Sequence, residues 1–354
     1  MRIFILTEST FAVPPSIIHQ KTLDIVMAGS GLTPINFYIV GEALPDYYLT
    51  QFKLLNNVFV INKNEAESLV RKDLNSVVVH FGSTLKGGKQ MKHYFIPLTL
   101  PVVYHPKGYW NQFWSAYQFK KFIKTSTATF SGNEWIHQSL LKTNASLSSF
   151  IQAAYLPCAH LPEFEWTHLA QTKEILTKGT PYFLSFTPLD NFVDTLKAFS
   201  IFKKWQQTTM AIVFVFDTKM QCEQALRLLK GFKYIDAVFI HTVQQVEIEW
   251  IAATYAVLWG HDVDFDKTSF MEWAIHYDIP LLFDKNEKQP ISWQAAGEVF
   301  TFSDKTVLSD HFKLYYKDEV YRQARARMGK EWLDLLLTQR LEKGFPKLPN
   351  ELKG

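Results

Sequence analysis

From Pro181 onward the chain alternates short apolar runs with segments long enough for a helix, and this alternation specifies a parallel sheet with helices on both faces. Strands of such a sheet are buried on both faces, so they read as unbroken apolar runs. Strands are expected at residues 182–186, 211–216, 237–240, 255–259, 280–283 and 299–302. Between the first two, Phe192, Leu196, Phe199 and Phe202 recur at helical spacing, with Lys197, Lys203 and Lys204 largely off that face. That segment is expected to be an amphipathic crossover helix.

The first half repeats the pattern less regularly. Strands are expected at residues 2–6, 36–40, 58–61 and 76–81, with a helix at 16–27 whose start Pro14 and Pro15 set. An aromatic helix follows at 109–124, where Trp110, Phe113, Trp114 and Tyr117 share one face, as core packing requires; sugar stacking or a membrane interface is the rival reading. A short strand at 127–130 ends at Ser131, and Ser131 with Glu134 forms the S-x-x-E pattern of a capping box, so a helix should begin just after Ser131. Between about 156 and 180 the period is lost among Pro157, Pro162, Gly179 and Pro181.

A chain of 354 residues exceeds what one hydrophobic core usually supports. The expected organisation is a Rossmann-like domain at 1–160, a linker at 161–180, a second Rossmann-like domain at 181–325 and a helical tail at 326–354. Two such α/β domains facing each other leave a cleft at the carboxyl ends of their strands, where ligands of open sheets bind.

No apolar run approaches the roughly 20 residues of a membrane span. The apolar start Met1–Leu6 is too short for a signal peptide, which leads to a cytoplasmic expectation. Cys158 and Cys222 sit in no metal or redox spacing. A net charge of +3 gives no case for nucleic acid. The charge is uneven, however: residues 1–160 hold fourteen Lys and Arg against eight Asp and Glu. A basic first half suits anionic lipid at the inner face of a membrane, an anionic acceptor, or simply a solvated surface.

The stretches at 188–200, 265–282 and 317–332 together resemble the C-terminal domain of glycosyltransferase family 4, a large retaining family of GT-B fold. P-L-D-N-F-V-D-T-L-K-A-F-S at 188–200 is similar to its P-R-K-N-L-x-x-L-L-x-A-F. F-D-K-T-S-F-M-E-W-A-I-H-Y-D-I-P-L-L at 265–282 is similar to G-F-G-L-P-x-L-E-A-M-A-x-G-x-P-V-I. The tail K-D-E-V-Y-R-Q-A-R-A-R-M-G-K-E-W at 317–332 follows the family's D-x-x-x-R-x-x-x-x-x-x-G. In the first half, F-S-G-N-E-W-I-H-Q-S-L-L at 130–141 resembles its T-V-S-E-F-S-x-x-D-L step.

The resemblance implies transfer of a sugar from a nucleotide-sugar donor to a glycan or lipid-linked acceptor in polysaccharide biosynthesis, without metal or other cofactor. Charge develops on the leaving diphosphate, so such a site needs cations and helix N-terminal N–H groups. Glu272 matches the second of the family's two glutamates and Asp264 stands for the first, both as donor-holding residues. Lys267, Thr268 and Ser269 at the next helix start, and Asn191 in the first motif, are the implied donor contacts.

Three departures stand beside this. Leu189-Asp190 replaces the family's Arg-Lys pair, Phe265 and Lys267 replace its glycines, and its His-Asp step falls near Leu98-Thr99. A catalytically degenerate relative that binds a sugar, nucleotide or protein is therefore the alternative to an active enzyme. Other polar groups have bland readings: 261–264 (H-D-V-D) as a strand-end loop, Cys158, His160 and His168 as linker residues, His80 and His105 as structural, and Lys86, Lys89 and Lys92 as a solvated loop.

Overall fold

The computed structural model describes residues 1–9, 11, 13–30, 35–41, 44–72, 76–86, 91–98, 109–131, 134–143, 145–154, 161–260, 268–285 and 293–342. The chain divides into two compact units, one built on Met1–Pro162, the other on Glu163–Val263 and Thr268–Gln339. Each is a Rossmann-like α/β unit of the kind that makes up the GT-B fold.

The first unit runs β1 (Arg2–Leu6), α1 (Pro15–Ser30), β2 (Asn36–Val40), α2 (Asp46–Lys53), β3 (Val58–Ile61), α3 (Lys63–Lys72), β4 (Ser76–His80), β5 (Lys92–Phe95), α4 (Tyr109–Thr125), β6 (Ala128–Ser131), α5 (Glu134–Thr143) and β7 (Ile151–Ala153). Its seven strands are parallel in the order β3-β2-β1-β4-β5-β6-β7. β1 and β4 lie at its centre and carry almost wholly buried apolar residues. The inner strand β5 and the edge strand β7, which escaped the sequence reading, are four and three residues long.

One expectation fails in this unit, at the two residues of the aromatic face whose side chains are described; those of Trp110 and Phe113 lie outside the description. Trp114 and Tyr117 of α4 are 57% and 55% exposed and pack edge-on against each other, 5.9 Å apart. The buried face lies further along, where Phe119 and Phe122 meet Phe11, Phe95 and His80 at 5.1–6.0 Å. Residues 132–133 lie outside the described residues, as does the cap of α5, whose described part runs from Glu134. Ser131 closes β6, with its Oγ 2.8 Å from His137 Nδ1.

The second unit runs α6 (Trp166–Thr177), β8 (Tyr182–Phe186), α7 (Phe192–Gln206), β9 (Ala211–Phe216), α8 (Lys219–Leu228), β10 (Val238–Thr242), α9 (Ile248–Ala252), β11 (Val257–Trp259), α10 (Thr268–His276), β12 (Leu281–Asp284), β13 (Glu298–Phe300), α11 (Lys305–Lys317) and α12 (Glu319–Glu342). Its six strands are parallel in the order β10-β9-β8-β11-β12-β13, the doubly wound order of a dinucleotide-binding sheet. Phe183, Phe199, Phe202 and Phe312, all fully buried, weld α7 and α11 to β8 with ring separations of 4.7–6.2 Å. Each contributes about 1.5–3 kcal/mol of burial.

Residues 161–180, read as period-less linker, contain α6. Only Leu176 and two threonines, Thr172 and Thr177, are buried along it, so no apolar stripe announces the helix. Lys203 is corrected too: it is 7% exposed, and its ammonium donates to the carbonyls of Thr208 and Met210.

Candidate functional site

In the second sheet the strand order reverses between β8 and β11: β9 and β10 follow on one side of β8, β12 and β13 on the other side of β11. The carboxyl ends of strands at such a reversal are the general ligand position of open α/β sheets. After β8, Thr187 and Pro188 lead into a single 3-10 turn, Leu189–Asn191, and α7 follows at once. After β11 come Gly260 and, beyond the undescribed 261–267, α10.

Close contact fixes the two strand ends together. The Gly260 N–H donates to the Phe186 carbonyl at 3.1 Å. A Cβ on Gly260 would fall 2.3 Å from the Phe302 ring and 3.2 Å from Pro188 Cδ, so the position accepts no side chain without displacement. Beneath them the hydroxyls of Ser185 and Thr187, both fully buried, share a short hydrogen bond. Gly260→Ala should therefore cost about 1–3 kcal/mol of stability through overpacking, read as a lower urea midpoint; an unchanged midpoint would show that Phe302 yields freely.

The site residues expected from sequence are placed unevenly. Glu272 is the fifth residue of α10 and half-buried. Thr268 opens that helix, and Ser269 is fully buried. Asn191 ends the turn after β8, and its carbonyl accepts from Thr195 Oγ1 at 3.0 Å. Asp264 and Lys267 lie outside the described residues, as do His105, Cys158, His160, Lys89 and the 261–264 run. Asp190, at the position of the missing basic pair, is exposed on the turn. Asp190 and Asn191 thus follow the end of β8, and Glu272 lies on the helix that comes after β11.

Among the remaining polar residues, His80 ends β4, 3% exposed and stacked on Phe95 at 5.2 Å. Burial, with His93 alongside, pushes its pKa down to about 3, so it is neutral and packs as an aromatic. His168 is largely exposed, 3.8 Å from Glu249. The Ser131–His137 pair left no signal in the sequence, since its members are six residues apart on a strand end and a helix, a spacing that belongs to neither period. It also missed Glu298, where His311, Arg325, Tyr315 and Tyr321 converge from two helices.

No protein-family model matches the chain, and no curated protein matches it in sequence. Solved structures do match over nearly the whole length. WaaG, a glycosyltransferase involved in lipopolysaccharide biosynthesis, is 11% identical with a TM-score of 0.57, over 94% of this chain and 95% of its own. HepE of Anabaena, solved with UDP-glucose, is 9% identical with a TM-score of 0.54, over 96% and 100%. A protein assigned as UDP-N-acetylglucosamine 2-epimerase from Listeria monocytogenes is 13% identical with a TM-score of 0.53, over 98% of each chain. At these identities the structural likeness shows a shared fold alone.

Proposed function

We propose that the chain binds a nucleotide sugar at the carboxyl edge of the second sheet and transfers its glycosyl group, with retention, to a glycan or lipid-linked acceptor, as a divergent relative of glycosyltransferase family 4. The observation that carries this is the switch point between β8 and β11, with the Asn191 turn on one side and the α10 start, bearing Glu272, on the other. A carboxylate there accepts from sugar or ribose hydroxyls, and the first N–H groups of α10 suit a diphosphate. HepE, of the same fold, was solved with UDP-glucose. No resident metal is part of the proposal; Lys267 supplies positive charge to the leaving group in its place.

A cytoplasmic location is included, with peripheral contact at the inner membrane face. The exposed Trp114 and Tyr117 share α4 with exposed Lys120, Lys121 and Lys124, an amphipathic mixture that suits an anionic bilayer surface. Among the described residues no helix is long and apolar enough to cross a membrane.

A second reading rests on Asp190. An exposed anion where the family has two cations repels a diphosphate and favours binding of a sugar or nucleotide without turnover, or of a protein. Calorimetric titration with UDP-, GDP- and ADP-sugars, followed by assay of the bound donor for release of nucleoside diphosphate, separates the readings. At least one donor is expected to bind, and Glu272→Gln to weaken it about tenfold or more, with the melting midpoint moved by less than about 2 °C. Binding without release would select the degenerate reading. Silence from every donor at about 1 mM would end the donor hypothesis, and a variant that unfolds would make Glu272 structural.

A further inference from the structure

The opposite, amino-terminal edge of the second sheet holds a half-open cavity of about 420 Å³, within the size range of small-metabolite sites. Its floor is formed by the residues that enter β11 and β12, including Tyr255 and Asp278. One wall is Lys173 on α6 and the other is the first turns of α12, with Glu319, Arg322 and Arg327. β8, which separates this edge from the donor-side edge, is five residues long, so the two sites are roughly 15 Å apart or more.

The charge arrangement is specific. Both carboxylates of the cavity are already engaged. Glu319 takes Arg322 through two contacts, at 2.9 and 2.6 Å, and Gln323 at 3.0 Å. Asp278 pairs at 2.8 Å with Lys330, which lies outside the lining. Arg322 is held in place by stacking over the Tyr255 ring at 4.8 Å. Lys173 and Arg327, by contrast, form no ion pair among the described residues. Burial lowers the Lys173 pKa and the nearby Arg322 charge lowers it further, so the cavity holds cations that repel one another. The positive end of the α12 dipole points the same way.

We propose that this cavity is a second binding site, distinct from the donor crevice, for the dianionic phosphate of a small phosphate monoester or for free phosphate, with Lys173 and Arg327 as the ligand-seeking cations and Arg322 as the fixed one. A dianion between these three groups converts mutual repulsion into charge-assisted hydrogen bonds. The ester's remaining polar groups find Tyr255, Gln323 and the Glu319 carboxylate around them. The site does not depend on the donor reading, since no residue of the turn after β8 or of α10 lines it.

Titration calorimetry of the full chain with glucose 6-phosphate, and separately with inorganic phosphate, tests the proposal. Saturable binding of at least one probe is expected, weakened about tenfold or more in the Lys173→Gln, Arg327→Gln double variant and unchanged in Glu272→Gln. Tighter binding of the ester identifies a phosphorylated metabolite as the ligand class, and equal or tighter binding of inorganic phosphate identifies the free ion. Both replaced side chains are at least partly exposed, so the double variant should keep the wild-type melting midpoint. No saturable heat up to about 10 mM of either probe, binding the double variant leaves intact, or binding that Glu272→Gln abolishes would overturn it.

Discussion

Glu298→Ala is expected to lower the unfolding free energy by about 3 kcal/mol at neutral pH, because it removes the acceptor on which four side chains converge. Glu298 opens β13 with its carboxylate 11% exposed. His311 and Tyr315 reach it from α11, at 3.0 and 3.1 Å, and Tyr321 and Arg325 from α12, Arg325 at 2.9 Å and Tyr321 through a short hydrogen bond. One carboxylate thus ties both closing helices to the outermost strand. Without it the buried Tyr315 hydroxyl loses its acceptor and Arg325 loses its counter-charge.

The same residue makes the fold acid-sensitive in a stated window. Burial pushes the Glu298 pKa up, but hydrogen bonds from His311 and Tyr321 and the charges of His311 and Arg325 outweigh it and hold the carboxyl at about 2. A folded-state pKa below the ordinary value of about 4.5 contributes stability that is fully present above pH 4.5 and lost as pH falls toward 2. The shift corresponds to about 3 kcal/mol, in line with the mutational figure. Urea titrations between pH 2 and pH 7 should show wild type and variant converging at the acid end. Curves that stay parallel across that range would mean that Glu298 is not the titrating group.

What sequence could and could not show follows from where the information lies. The buried strand β9 is an unbroken apolar run, β8 is interrupted only by Ser185, and the α7 phenylalanines keep helical spacing, so the centre of the second sheet was legible from local pattern. Boundaries drifted where polar residues finish a strand, as in β10, which continues through His241 and Thr242. α6 escaped because its helix buries threonines rather than a stripe of large side chains. The exposed Trp114 and Tyr117 show the reverse error, since helical spacing reports a shared face and not which way that face turns.

At the candidate site, Glu272 was reachable only through resemblance to a motif. The Glu298 cluster carried a faint local signal, His311 with Tyr315 and Tyr321 with Arg325 each four apart on a helix face. Their common acceptor lies in an earlier strand, and only the fold brings it to them. Lys173 and Arg322 illustrate the same limit, since a cavity shared by segments about 150 residues apart leaves no period in the sequence.

Lys203→Met should destabilise the second unit by about 2–3 kcal/mol at neutral pH, although the replacement fills nearly the same space. Lys203 sits in the last turn of α7, where carbonyls at the negative end of the helix favour a cation. Its ammonium donates to the Thr208 carbonyl through a short hydrogen bond and to the Met210 carbonyl at 2.9 Å, while the Thr208 hydroxyl accepts from the Met210 N–H at 3.0 Å. The Phe199 and Tyr234 rings lie 5.9 and 6.0 Å from the ammonium. The side chain therefore staples the turn that feeds β9, the neighbour of the strand ending at the donor-side crevice. Methionine keeps the packing and supplies no donor, so both carbonyls lose a partner. Burial lowers the Lys203 pKa from its ordinary 10.5, so the folded chain gives up this proton before the unfolded chain does. Wild-type stability should consequently gain from this residue as pH rises toward 10.5, and the methionine variant should lack that slope. A variant as stable as wild type at pH 7, measured by urea unfolding, would show that the cost of burying the charge cancels its hydrogen bonds. In that case the turn into β9 is held by packing alone.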